Sequence, residues 1–100
     1  MRKVFILTDG GHDYSDAERF GVITFCHVTV RNKDDISQMY RELKECPHDS
    51  TQEDFLLISS LTSLCCVATA ILTEWHGRVN FLVFHDGKYV ERNLVLNNEG

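Results

Sequence analysis

A short apolar segment followed by a long apolar helix constrains the fold of this chain more than any other part of its sequence. Residues 55–59 read FLLIS, which is typical of a strand buried on both faces of a sheet. Residues 63–75 read SLCCVATAILTEW, a helix that is apolar on most of its faces, and Gly77 lies where a C-cap is expected. The dipeptide Asp86-Gly87 then favours the type I′ turn of a hairpin. A buried strand, a helix and a hairpin in this order predict an α/β fold.

The first half of the chain continues this alternation of strands and helices. Residues 3–8 predict the first strand, and Ser15 begins the capping-box sequence SDAE of a short helix. Residues 22–30 predict a second strand, at or near an edge of the sheet. Asp34 or Asp35 caps the next helix, which is amphipathic. The chain therefore predicts a small sheet of about five strands with two to three helices, ending in a C-terminal β-hairpin.

Length and charge exclude several classes of function. We expect one domain over residues 1–100, and a domain of this size gains stability by forming oligomers. The formal net charge of -5 argues against nonspecific binding of nucleic-acid polymers, whereas a small nucleotide needs only a few local donors. No apolar run reaches the ~18 residues of a membrane span, and the run near the N-terminus is too short for a signal peptide. We therefore expect a cytoplasmic protein without membrane or nucleic-acid partners.

The cysteines are not spaced for metal binding. Cys26, Cys46, Cys65 and Cys66 form no C-x-x-C pair, so we expect neither structural zinc nor another metal or cofactor. In a cytoplasmic protein we expect all four to be reduced thiols that pack as small apolar side chains.

Two polar loops follow the first and third predicted strands, at residues 9–15 and 59–63. If these strands are parallel, both loops leave the carboxyl edge of the sheet, where open α/β sheets bind ligands. Glycines admit a ligand close to the backbone, and the helix that follows each loop offers N–H groups to an anion. The alternative is that both are ordinary turns and helix caps without a ligand. The candidate ligand-binding residues of the two loops are Gly10, Gly11, His12, Ser60 and Thr62.

The sequence YVERN near the C-terminus adds two further candidate ligand-binding residues, Arg92 and Asn93. The planar guanidinium of Arg92 suits a phosphate or the face of an adenine ring. The alternative for Arg92 is a salt bridge between strands or between subunits.

His12 lies between Asp9 and Asp13, and a carboxylate can orient an imidazole for general-base catalysis. No nucleophile is marked beside it, however, and the cysteines are expected to be packed. The more common role of such a histidine is a hydrogen-bond donor in a loop, so we predict no catalytic residue.

Three segments together resemble a phage-encoded family, the first described family of Thoeris anti-defence sponge proteins. The segments are GGHDYSDAERFG, DFLLISSLTSLCCVATAILTEWHGRVNFLVF and YVERNLVL, which cover most of the chain. The resemblance implies a small α/β protein that assembles through dimers into hexamers. It implies binding of cyclic ADP-ribose signals, which such proteins hold without cleaving them, and in some members of cyclic oligonucleotide signals at separate sites.

The leading hypothesis is therefore a non-enzymatic protein that sequesters a cyclic adenine-nucleotide signal and so blocks bacterial anti-phage defence. We expect it to act in the cytoplasm of the infected cell as a homo-oligomer, a dimer or a hexamer. One alternative is a nucleotide or nucleoside hydrolase or transferase that uses His12 with Asp9 or Asp13. Another is a protein-interaction module that binds no small molecule.

Overall fold

The computed structural model describes residues 1–32, 34–59 and 61–96, which form one α/β unit. Five strands make a single sheet in the order β2-β1-β3-β4-β5. The strands are β1 (Lys3–Ile6), β2 (Val22–Phe25), β3 (Phe55–Ile58), β4 (Arg78–His85) and β5 (Lys88–Val95). The helices are α1 (Ile36–Leu43) and α2 (Thr62–His76), with a first 3₁₀ helix at Ser15–Arg19 and a second at Cys46–Asp49. The predicted fold class is confirmed.

The strand order explains why the two sides of the sheet differ. Strands β1 to β4 are parallel, and β5 pairs antiparallel with β4. Across the sheet, the connection from β1 to β2 runs toward one edge. The connections from β2 to β3 and from β3 to β4 run toward the other edge. Because such crossovers are right-handed, opposite directions place the connections on opposite faces. We call the face packed by α1 and α2 the helix face, and the other, packed by the first 3₁₀ helix, the 3₁₀ face.

The helix face carries the larger core. Asp35 caps α1 through its side chain, which accepts a hydrogen bond from the Gln38 N–H (3.0 Å). Met39 and Leu43 of α1 are fully buried, and Phe5 and Leu56 lie in the same cluster. The predicted amphipathic helix is therefore confirmed, with Asp35 rather than Asp34 as its cap.

A second core lies under the first 3₁₀ helix on the 3₁₀ face. Ala17 of that helix is fully buried and packs with Leu57 and Leu82 of the sheet and with the rings of Tyr14 and Tyr89. The 3₁₀ helix begins at Ser15, so the predicted cap by the Ser15 side chain is wrong. The carboxylate of Asp13, which precedes the helix, instead accepts the Ser15 N–H (2.9 Å).

The second strand is an edge strand, as predicted, but it ends at Phe25 rather than at residue 30. His27 has a φ of 51°, a left-handed conformation that no strand can continue. The two glycine-dependent predictions near the C-terminus are confirmed. Gly77 caps α2 with a φ of 73°, and the hairpin turn has φ values of 51° at Asp86 and 84° at Gly87.

The prediction that all four cysteines are reduced thiols is wrong for two of them. Cys26 and Cys46 form a disulfide with a Cα–Cα distance of 5.4 Å, within the range that a bridge requires. Cys26 follows β2 and Cys46 starts the second 3₁₀ helix, so α1 brings together two residues that are 20 apart in sequence. Cys65 is buried and Cys66 is exposed, and neither belongs to a disulfide.

Candidate functional site

A cavity of about 380 Å³ opens at the carboxyl edge of the sheet. Three parts of the chain enclose it: the loop after β1, the end of β3, and the hairpin that joins β4 to β5. Its lining residues are His12, Asp13, Ile58, Ser59, Phe84 and Tyr89.

The strand order accounts for the position of this cavity. From β1 the chain leads to β2 on one side, and from β3 it leads through α2 to β4 on the other side. Neighbouring strands whose connections diverge in this way leave a crevice beyond their carboxyl ends. His12 follows β1 and Ser59 follows β3, so the crevice receives the loops that the sequence singled out, and the condition that β1 and β3 run parallel is met.

Short hydrogen bonds fold the loop after β1 toward the sheet. The carboxylate of Asp9 accepts the Gly11 N–H (3.0 Å), and Gly11 takes a φ of 79°, which favours glycine. The His12 ring comes back over Gly10, where a Cβ would lie only 3.2 Å from the imidazole. The ring also meets Tyr14 edge to face, with 6.1 Å between centroids. The loop therefore presents His12 at the cavity from a defined backbone.

Two aromatic rings form the opposite wall. Phe84 and Tyr89 face each other across the hairpin with ring centroids 5.1 Å apart and an interplanar angle of 63°. The Tyr89 ring is buried, whereas the Phe84 side chain is 56% exposed. This wall of the cavity thus consists of one exposed ring, Phe84, that packs against a buried ring, Tyr89.

The first 3₁₀ helix holds this wall in place through a single residue of β5. The carboxylate of Asp16 accepts the Tyr89 N–H (2.7 Å), and the guanidinium of Arg19 donates to the Tyr89 carbonyl oxygen (2.6 Å). Asp16 and Arg19 also pair with each other at 3.3 Å. Both backbone groups of Tyr89 are therefore bound by the helix that follows the His12 loop.

Hydrogen bonding and burial set the charges around the cavity. The Ser15 N–H lowers the pKa of the Asp13 carboxyl, so Asp13 is an anion at neutral pH. Burial raises the pKa of the Tyr89 phenol, and the nearby Tyr14, Asp13 and Asp16 raise it further. Tyr89 is consequently a neutral hydroxyl. The cavity offers one carboxylate as an acceptor, with hydroxyl and imidazole groups that can donate.

Ser59 has a hydrogen-bonding group that no other described residue contacts. Its hydroxyl oxygen is buried and, within the described chain, has no hydrogen-bond partner. Buried hydroxyls are normally satisfied, and each exception calls for an explanation. Because Ser59 lines the cavity, a bound ligand would supply the missing partner.

The structure brings only some of the predicted site residues together. His12 lines the cavity, and Gly10 and Gly11 shape the loop that carries it. Thr62 begins α2 and lines a neighbouring cavity of about 320 Å³ with Cys65 and Cys66. The predicted contact Ser60 lies outside the described residues.

Arg92 and Asn93 do not join the loop residues, so grouping them at one site requires correction. Strand register places Arg92 opposite Phe81 and Asn93 opposite Asn80, away from the hairpin turn. The exposed guanidinium of Arg92 donates to the Glu91 carbonyl oxygen (2.9 Å). The Asn93 amide donates to the side chain of Asn80 (2.7 Å). The residues that do reach the cavity from this hairpin are Phe84 and Tyr89, which flank its turn.

The candidate ligand-binding residues drawn from the sequence did not include Phe84 or Tyr89. The position of the hairpin turn in the sequence could have identified both residues. A turn that follows β4 directly must lie at the carboxyl edge whenever β4 is parallel to β3, so the residues flanking Asp86-Gly87 reach the crevice.

The loop geometry does not assemble a catalytic dyad. The carboxylates of Asp9 and Asp13 accept backbone N–H groups of Gly11 and Ser15. Among the described residues, Ser59 and Tyr89 are the two that bring a hydroxyl to the cavity, and the Ser59 hydroxyl makes no hydrogen bond to His12. A nucleophile needs such a contact with its base. The described residues also contain no group of three His, Cys, Asp or Glu side chains placed to hold a metal ion.

Comparison with known proteins identifies a phage family. The family model for the Phage Pam3 gp32-like protein matches residues 3–96. No curated protein and no solved structure matches significantly. No helix in the described ranges is long and apolar enough to cross a membrane. Because the family model spans nearly the whole chain, this phage protein belongs to the Phage Pam3 gp32-like family.

Proposed function

We propose that this protein binds a cyclic ADP-ribose-type signal at the carboxyl-edge cavity and sequesters it without converting it. The observation that carries the proposal is the Ser59 hydroxyl, which is buried, lines the cavity and has no partner there. The resemblance to the Thoeris anti-defence sponge proteins supplies the class of ligand. Sequestration then keeps the free signal below the level that activates a defence effector.

The walls of the cavity suit the parts of such a ligand. Phe84 is exposed enough to stack on an adenine ring, with Tyr89 supporting it from below. The anionic Asp13 accepts hydrogen bonds from ribose hydroxyls rather than from phosphates. The pyrophosphate would face His12 and the start of α2, where the N-cap residue Leu61 provides no side-chain cap.

A non-enzymatic role agrees with the separation of the polar groups. His12 and Ser59 border one cavity without a hydrogen bond between them, and the neighbouring carboxylates are bound by backbone. Capture alone requires only fit and slow release. Because the proposed signal is made inside the infected bacterium, we place the protein in the host cytoplasm.

We further propose that the protein assembles with itself through the free edge of β5. The Tyr89 backbone groups point away from β4 toward Asp16 and Arg19, so alternation points those of Asn93 and Val95 outward as well. Val95 and Leu96 are exposed beside this edge. An open apolar strand edge pairs readily with another strand, and antiparallel pairing of two β5 strands is self-complementary.

The test is titration calorimetry with cyclic ADP-ribose isomers, followed by heat denaturation and chromatography of the released ligand. We expect saturable binding and recovery of the unaltered ligand. Recovery of an altered ligand would show that the protein is a hydrolase or transferase and not a sequestering protein. Absence of binding with every isomer would overturn the proposal, and cyclic oligonucleotides would be tested next.

Matched variants locate the site. Phe84→Ala removes the stacking surface and should weaken binding by roughly tenfold or more. Tyr40→Ala removes a similarly exposed aromatic ring from α1 and should leave binding unchanged. Ser59→Ala should weaken binding as well, whereas Ser37→Ala at an exposed position should not. Equal effects of Phe84→Ala and Tyr40→Ala would show that the ligand binds elsewhere.

A further inference from the structure

A second cavity, of about 280 Å³, lies at the opposite end of the parallel strands and shares no lining residue with the first. It is bordered by Phe55 at the start of β3 and by Arg78 and Asn80 near the start of β4. Arg2 borders it as well. Two guanidinium groups therefore face one small polar cavity in a chain whose net charge is -5.

Neither guanidinium forms an ion pair within the described chain. The ion pairs found there join Lys3 with Asp49, Arg19 with Asp16 and His85 with Asp86. Glu53 and Glu91 also border the cavity, but neither carboxylate comes within 4.0 Å of the nitrogens of Arg2 or Arg78. The two guanidinium groups thus border one cavity, and neither forms an ion pair with the two carboxylates that border it too.

Arg78 is held in position yet incompletely satisfied. Its Nη2 donates to the side-chain oxygen of Asn80 (2.8 Å). The Asn80 amide is itself anchored, since it donates to the carbonyl oxygens of Gln52 (3.0 Å) and Asp54 (3.1 Å). The Nε of Arg78, by contrast, is buried and has no hydrogen-bond partner in the described residues. A buried charged donor without a partner is costly unless something supplies one.

Arg2 completes the arrangement from the other side of the cavity. Its guanidinium carbon lies 5.9 Å from the centre of the Phe55 ring, so the aromatic face orients the side chain. The contact leaves the guanidinium hydrogens free to bind an anion.

We propose that this amino-edge cavity is a binding site for an oxyanion, a phosphate or carboxylate group, held between Arg2 and Arg78. Such an anion matches the planar donors of two guanidinium groups and can accept a hydrogen bond from the Arg78 Nε–H, which has no partner in the described residues. Glu53 and Glu91 restrict the site to small anions, because a larger anionic group would approach their carboxylates. This site does not depend on the function proposed for the carboxyl-edge cavity.

The experiment follows the Nε–H resonance of Arg78 by ¹⁵N NMR while inorganic phosphate or acetate is added to the full chain at constant ionic strength. We expect a saturable shift at Arg78 and none at the exposed Arg31. The two titrations distinguish a phosphate site from a carboxylate site by which anion saturates at lower concentration. An unmoved Arg78 resonance with both anions, or equal shifts at Arg31, would overturn the proposal.

Variants separate binding from a structural role. Arg78→Lys keeps the charge but removes Nε, and should weaken anion binding by about tenfold or more. Arg2→Ala, at an exposed side chain, should weaken it similarly. Glu91→Gln removes a repelling charge and should strengthen binding, whereas Arg31→Ala should have no effect. Unchanged binding in Arg2→Ala, or weaker binding in Glu91→Gln, contradicts the site even if Arg78→Lys does not fold.

Discussion

At the scale of single residues, Asp16 connects more of the structure than its half-buried position suggests. Its carboxylate binds the Tyr89 N–H and pairs with Arg19, which itself binds the Tyr89 carbonyl oxygen. Tyr89 lines the carboxyl-edge cavity. One acidic side chain therefore links the first 3₁₀ helix, the hairpin and the candidate site.

Asp16 should also make stability depend on pH. The hydrogen bond from the Tyr89 N–H lowers the pKa of Asp16 in the folded protein, with a further contribution from Arg19. Because the folded pKa lies below the unfolded one, the stabilisation is complete above the unfolded pKa of about 3.9 and is lost as pH falls through the folded value. We expect Asp16→Asn to reduce the free energy of unfolding at pH 7 and to flatten its decline in acid, as measured by urea denaturation.

Two features of that measurement make it specific. Asp13 has a lowered pKa for a similar reason, so the decline in acid should be reduced by Asp16→Asn and not abolished. Glu18→Gln, at an exposed position of the same 3₁₀ helix, is the control and should retain the wild-type pH profile. A profile of Asp16→Asn that overlays the wild type would contradict the role of this hydrogen bond.

At the scale of secondary-structure elements, the disulfide joins the end of β2 to the segment after α1. Its two cysteines border the larger core and are only partly buried. A bridge across 20 residues restricts the unfolded chain, and its loss typically costs about 2–4 kcal/mol. We expect the Cys26→Ser, Cys46→Ser double variant to lose stability of that order in chemical denaturation.

A reductant provides the complementary test of the disulfide. It should lower the melting temperature of the wild type and leave that of the double variant unchanged. Cys66→Ser, which removes an exposed free thiol, should behave like the wild type. A wild-type protein that is insensitive to reductant would show that the bridge contributes nothing to stability.

Elements with strong local signals could be predicted from sequence, and features that depend on pairing could not. Asp35 acts through its side chain on the adjacent turn, and Gly77 and the Asp86-Gly87 turn act through their own backbone, so these local roles could be inferred from residue type. The Cys26–Cys46 bridge depends on where α1 packs, which cysteine spacing does not reveal.

The residues of the candidate site were likewise predicted only in part. The loop after β1 was found because glycine and histidine follow a strand directly. Arg92 was chosen for the chemistry of its guanidinium alone, whereas strand register places it opposite Phe81 and away from the hairpin turn.

At the scale of the whole molecule, the sheet has two unequal edges. β2 at one edge has 4 residues, whereas β5 at the other has 8 and ends beside exposed apolar side chains. Of the two edge strands in the described chain, β5 is the longer, and Asp16, Arg19 and Arg92 take up its outward backbone groups only at Tyr89 and Glu91, before Asn93. The proposed self-assembly should therefore use β5.

Light scattering coupled to size-exclusion chromatography tests this assembly. We expect a mass of at least two chains for the wild type and of one chain for Val95→Lys, because a charged side chain disfavours pairing at that edge. Val22→Lys alters an equally exposed valine on β2 and should keep the wild-type mass. A monomeric wild type, or an assembly lost only in Val22→Lys, would contradict pairing through β5.

The disulfide also determines what proteolysis does to the chain. Because it joins Cys26 to Cys46, the segment between them, including α1, is a closed covalent ring within the backbone. A protease that cuts one peptide bond inside this ring opens it without releasing a fragment. The nicked protein keeps both pieces attached and separates into two only when the bridge is reduced.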